Sequence, residues 1–156
     1  MDSITGAEVA VALPVPLPPE QMWERITEVG RIGEWSPEAT GARWCDTGGQ
    51  PAVGARFIAH NRFPNGLETT VTCEVVESTP AASFAWNVLD PEGLVGSTWR
   101  YELRPGSSPG TTVVHQTFTH GPGFSGARAD PDTFHDRMAT ICRNMATTIA
   151  AMAAAP

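Results

Sequence analysis

Few residues in this chain can move a proton near neutral pH, and two of the best placed fall in expected strands. His115 lies in the segment Thr111–His120, where Val113, His115 and Thr117 alternate with Val114, Gln116 and Phe118. Successive side chains of a strand point to opposite faces. With Val113 turned to the core, His115 faces the interior and suits acid–base work. The opposite register points Gln116 inward and leaves His115 in solvent, since a slip of one residue exchanges the faces. Tyr101 shares a face with Trp99 and Leu103, and its hydroxyl needs a partner once buried. Phe84, Trp86 and Val88 share a face of another strand. Turned inward together, Trp86, Trp99 and Tyr101 form an aromatic wall for a flat apolar molecule, or equally a packing surface beneath a helix.

Other chemistry finds little support. With Phe57 inward, His60 faces solvent; His120 ends its strand beside Gly121-Pro122-Gly123, and His135 sits beside Phe134. No HxH, HxxxH or HExxH spacing occurs, so no metal and no cofactor is expected. Glu68, Thr70, Thr72 and Glu74 oppose Val71, Cys73 and Val75, which reads as a solvated face behind an apolar one. Cys73 has no basic neighbour in the sequence to make it a thiolate. A G-x-S-x-G nucleophile turn is absent, and Gly48-Gly49 reads as a simple turn.

The elements that hold these residues follow from composition and spacing. The 156 residues fit one domain over 1–156. Apolar residues are 41% and charged residues 17%, which excludes a disordered chain and a membrane-embedded one. The net charge of -7 and scattered basic residues argue against nucleic acid and against anionic lipid surfaces. Cys45, Cys73 and Cys142 are odd in number and widely spaced, as reduced thiols of a cytoplasmic protein would be. Asp2 and Glu8 do not suit a secretory signal, and Ala150–Ala155 is too short to span a bilayer. A monomer or homodimer is expected.

Glu8–Leu13 alternates as a strand, stopped by Pro14, Pro16, Pro18 and Pro19. From Glu20, Met22, Ile26 and Val29 recur at helical spacing, with Gly30 and Gly33 breaking the helix and Ile32–Trp35 forming a second short turn. Strands are expected at Ala42–Asp46, Ala55–Arg62, Glu68–Glu77, Ser83–Leu89, Ser97–Arg104 and Thr111–His120, separated by turn signals such as Pro64-Asn65-Gly66. A series of this kind makes an antiparallel meander. Asp130 and Pro131 open a last helix, in which Phe134, Met138, Ile141, Met145, Ile149 and Met152 form one apolar stripe. The expected fold is α+β: a curved antiparallel sheet wrapped around this long helix, with two short N-terminal helices. One helix under-fills a strongly curved sheet, and the gap is a natural ligand cavity. Trp35, Phe57, Val71, Trp86, Trp99, Phe134 and Met138 are expected to line it.

The stretches Val29–Glu38 (VGRIGEWSPE) and Pro51–Phe57 (PAVGARF), with Ser83–Trp86, Thr98–Leu103 and Gly110-Thr111, carry a family resemblance. From Val9 to about Ala151 the chain resembles the START-like superfamily with its helix-grip fold. Within that superfamily it is similar to the bacterial polyketide cyclase/dehydrase-like (SRPBCC) group. The resemblance implies an internal cavity for an apolar ligand, polyketide-like or another secondary metabolite. It does not fix a reaction, because the group includes cyclases, lipid binders and hormone binders. Under the cyclase or dehydratase reading, His115 is the acid or base and Tyr101 hydrogen-bonds a carbonyl. The alternative is a non-catalytic carrier of a lipid or other hydrophobic ligand. The resemblance also places Trp35-Ser36-Pro37-Glu38 near the pocket entrance, where Trp35 lines the mouth or anchors the short helix. The loop Gly121–Ala129 reads as a second gate or a connector.

Overall fold

Seven strands form one curved antiparallel sheet in a computed structural model of the chain, which describes residues 2–46, 49–126 and 130–156. The expected turn at Gly48-Gly49 and the end of the loop Gly121–Ala129 fall partly outside the described residues. The strands are β1 (Glu8–Val15), β2 (Ala39–Trp44), β3 (Arg56–Arg62), β4 (Glu68–Thr79), β5 (Ser83–Leu89), β6 (Val95–Pro105) and β7 (Thr112–His120). They lie in the order β1-β7-β6-β5-β4-β3-β2, so β2 to β7 are a meander and β1 closes onto β7. Helix α1 (Pro19–Thr27) and a 3-10 helix (Val29–Glu34) carry the chain from one edge strand to the other. Helix α2 (Phe134–Ala154) follows a short 3-10 turn, Pro131–Thr133.

β2 begins three residues before its expected start at Ala42, β4 and β6 run one or two residues beyond their expected ends, and the 3-10 helix begins at Val29 instead of Ile32. Two further differences have local reasons. β1 runs through Pro14 to Val15 instead of stopping at Leu13. It is an edge strand, where a residue without N–H costs the ladder little. The last helix does not begin on an Asp130 cap. The Asp130 side chain makes no capping hydrogen bond, and the Thr133 hydroxyl instead donates to the Asp130 carbonyl at 3.0 Å, closing the 3-10 turn.

Register shifts leave Val76 of β4 unpaired opposite β5 and Gly96 of β6 unpaired opposite Val88/Leu89 of β5, bulges that bend the sheet. The concave face holds two apolar clusters. One includes Met22, Ile26, Trp35, Phe84, Val114, Ile149 and Met152. The other is Phe118, Met138, Ile141 and Met145, with Val9, Trp99 and Phe134 against it. The stripe of α2 therefore feeds both. The convex face carries an ion network: Arg100 pairs with Glu77 at 2.7 Å and Glu102 at 2.8 Å, and Arg104 with Glu102 at 2.7 Å. The two guanidiniums hold the Glu102 carboxyl down to about 2. Among the described residues, no helix is long and apolar enough to cross a membrane.

The end of α2 is tied down by Arg25 of α1. Its Nη1 donates to the carbonyls of Met152 at 2.5 Å and Ala155 at 2.7 Å, groups with no partner inside the helix. Arg25→Ala is expected to lower stability by about 2 kcal/mol, the worth of charge-assisted bonds, in urea unfolding. Arg25→Lys should recover part of this, since both bonds come from one nitrogen, which an ammonium can supply only from a stem of different reach. An alanine variant as stable as the wild type would show that the clamp holds nothing.

Candidate functional site

Alternate residues of five neighbouring strands point into a cavity of about 630 Å³ beneath the helices. β3 contributes Phe57 and Ala59, β4 Val71 and Cys73, and β5 Trp86 and Val88. β6 contributes Trp99 and Tyr101, and β7 Gln116 and Phe118. The register sets them side by side: Phe57 faces Cys73, Trp86 faces Trp99, and Tyr101 faces Gln116. The Trp86 and Trp99 indoles are nearly parallel, 7° apart with centroids separated by 6.3 Å. Phe57 meets Trp86 edge-on at 5.9 Å, and Tyr101 lies 6.0 Å from it. From the helical side, Ile26, Trp35, Ile141, Met145 and Met152 complete the apolar lining.

The polar groups are few. The Tyr101 hydroxyl is buried, which pushes its pKa up, with the Gln116 amide opposing the shift. It therefore stays protonated and serves as a hydrogen-bond donor. Gln116 is buried, and its Oε1 has no hydrogen-bond partner. Asn144 and Thr148 of α2 also reach the cavity. Burial pushes the Cys73 thiol up to about 12, so it is a neutral wall residue and not a nucleophile. Among the described residues, no three His, Cys, Asp or Glu side chains gather as metal ligands would.

Two tethers frame the mouth. Arg137 of α2 pairs with both oxygens of Glu38, at 2.7 and 2.9 Å, and its guanidinium lies 5.0 Å from the Phe63 ring. The Ser36 hydroxyl accepts the N–H groups of Ala39 at 2.9 Å and Glu38 at 3.2 Å, which shapes the loop that presents Glu38. Elsewhere on the rim, the Asp90 carboxylate accepts backbone N–H groups of Phe124, Leu94 and Glu92, each at 2.9 Å. These bonds, Phe124 first, hold its carboxyl below the usual range. Leu67 and Phe124 are exposed apolar residues of the same rim.

An apolar cavity between a seven-stranded sheet and a C-terminal helix is one half of the comparison with known proteins. The other is the sequence itself, which matches the family model described as "Polyketide cyclase / dehydrase and lipid transport" over residues 6–150. The chain belongs to this family. The fold is shared with a protein from Nitrosomonas europaea, 20% identical over 97% of this chain and 94% of that one, with a TM-score of 0.66. A Polyketide_cyc-like protein from Corynebacterium glutamicum is 25% identical over 94% of this chain and 89% of its own, with a TM-score of 0.56. Ara h 8.0201 is similar in fold at 15% identity, over 94% of each chain, with a TM-score of 0.63. No curated protein matches the sequence.

In this member of the polyketide cyclase/dehydrase family, six expected residues line the cavity: Trp35, Phe57, Val71, Trp86, Trp99 and Tyr101. Trp35 serves in both ways anticipated for it. It lines the cavity, and it is buried beside the short helix with the Arg31 guanidinium 4.7 Å from its ring. His115 is a correction. It stands opposite Glu102 on the convex face, away from the cavity, because Tyr101 pairs with Gln116 and fixes the register. Phe134 and Met138 are corrected as well. They pack with Phe118 in the second cluster, while Ile141, Met145 and Met152 further along the stripe, and the polar flank beside it, face the cavity.

That flank carries Arg137, Asn144 and Thr148, which sequence reasoning missed. Their signal was present as polar residues seven and four positions apart, close beside the apolar stripe. The Arg137–Glu38 pair had no sequence signal, because its members are 99 residues apart.

Proposed function

We propose that this protein binds a flat, apolar small molecule, polyketide-like or a related secondary metabolite, inside the cavity. The observation that carries this reading is the aromatic wall of Trp86, Trp99 and Tyr101 on a cavity of about 630 Å³. That volume is in the ordinary range for small-molecule sites, which are mostly apolar with a few placed polar groups. The indoles stack on the ligand body, and the Tyr101 hydroxyl donates to a carbonyl oxygen. The family description, which names both cyclase/dehydrase and lipid transport proteins, is compatible with this chemistry.

Binding is favoured over proton abstraction as the primary role. The one histidine expected to act as a base points away from the cavity, and Tyr101 is a donor, not a base. Native and denaturing mass spectra of the purified protein, with analysis of the organic extract, test the reading. An apolar aromatic compound released on denaturation, or taken up on titration, is the expected result. His115→Ala should leave its affinity and its chemical form unchanged. A protein that neither retains nor takes up any apolar aromatic compound would sink the proposal. Conversion of the bound compound, abolished in His115→Ala, would restore the cyclase reading.

A further inference from the structure

The Tyr101–Gln116 pair puts two buried polar groups side by side on the sheet wall of the cavity, and the residues that face them from the adjoining strands are apolar. Tyr101 faces Phe84 on β5, and Gln116 faces Val11 on β1. Neither flanking residue offers a side-chain hydrogen bond. Gln116 is 3% exposed, and its Oε1 is without a partner. A buried amide oxygen in that state costs free energy that native interiors ordinarily avoid. It is an acceptor in want of a donor. Beside it stands a phenol O–H, a donor that burial keeps protonated.

We propose that Tyr101 and Gln116 form a donor–acceptor pair that selects cavity ligands bearing a hydroxyl beside a carbonyl. The Tyr101 hydroxyl donates to the carbonyl oxygen, and Gln116 Oε1 accepts the ligand hydroxyl. Cβ atoms directly opposite on adjacent strands stand about 5 Å apart, and the Gln116 amide lies within hydrogen-bond reach of the Tyr101 hydroxyl, so two oxygens on neighbouring carbons can meet both groups. The Trp86–Trp99 pair then takes the apolar body of the same molecule. This selection rests on the cavity being a ligand site, as proposed above.

Titration calorimetry with two ligands tests it. Benzoin carries a hydroxyl beside its carbonyl, between two phenyl rings. Deoxybenzoin has the same skeleton without the hydroxyl. The wild-type protein is expected to bind benzoin about tenfold more tightly, the worth of one good buried hydrogen bond. Gln116→Met should bring the ratio of benzoin to deoxybenzoin affinity to about one, while Tyr101→Phe weakens both. The comparison of ligands on the wild type needs no variant to fold. Fluorescence of 1-anilinonaphthalene-8-sulfonate reports apolar binding independently of the pair. If the protein binds this dye or deoxybenzoin yet gives benzoin no advantage, the selection is overturned and the cavity reading stands. If none of the three compounds binds, both fall together.

Discussion

Trp86→Ala is expected to cost about 3 kcal/mol of stability, the lower end for a large aromatic, because one side of its ring borders the cavity. Trp86 is the hub of the wall. Its ring meets Phe57, Phe84, Trp99 and Tyr101 at centroid distances of 5.9, 5.6, 6.3 and 6.0 Å. Removing it deprives each of these rings of a neighbour and enlarges a space that is already open. Affinity for an aromatic ligand should fall by about tenfold or more as the stacking surface is lost. Trp86→Phe separates the two effects, since it keeps a ring in the wall and most of the packing. Guanidinium unfolding and ligand titration on both variants provide the measurement. An alanine variant that binds aromatic ligands as the wild type does would remove the wall from the recognition argument.

Gly33→Ala is expected to be as damaging, though the side chain added is a single methyl. Gly33 lies in the 3-10 helix that packs on β2. A Cβ there would stand 2.8 Å from the Thr40 carbonyl carbon and nearer still to its oxygen. Both are backbone atoms held in a strand, so the helix itself must move. Overpacking of this kind costs about 3 kcal/mol. The displacement also reaches the site, because Trp35 and Glu38 follow directly in the chain. Loss of stability together with weakened ligand binding is the expected pair of results in thermal unfolding and titration. An alanine variant within about 0.5 kcal/mol of the wild type, the usual range for a neutral surface change, would show that the contact is not tight.

The sheet and long helix were legible because their patterns are strong. β3 to β6 alternate cleanly, and Arg100, Glu102 and Arg104 mark the outer face of β6 as plainly as Trp99, Tyr101 and Leu103 mark the inner one. β7 was ambiguous for a physical reason. A cavity admits polar residues to the inner face, and Gln116 breaks the apolar alternation that would have revealed it. The pairing of β6 with β7 resolves the question, since it sets His115 beside Glu102 and Gln116 beside Tyr101. That pairing depends on the geometry of the intervening hairpin, which residue types alone do not dictate. On α2 the difficulty was different. An apolar stripe does not tell which of its members meet the sheet directly, as Phe134 and Met138 do, and which border the cavity, as Ile141, Met145 and Met152 do.

The division of the apolar interior into two clusters has a thermodynamic consequence. Folding leaves a void where a fully packed protein would have side chains, so the empty form forgoes contacts that a dense interior supplies. A bound guest supplies them. Occupancy and unfolding are then linked equilibria: a ligand present at a hundred times its Kd raises the unfolding free energy by about 2.7 kcal/mol. Under the proposed reading, the melting temperature of this protein reports occupancy of the cavity, and a screen for thermal shifts needs no knowledge of what the ligand becomes.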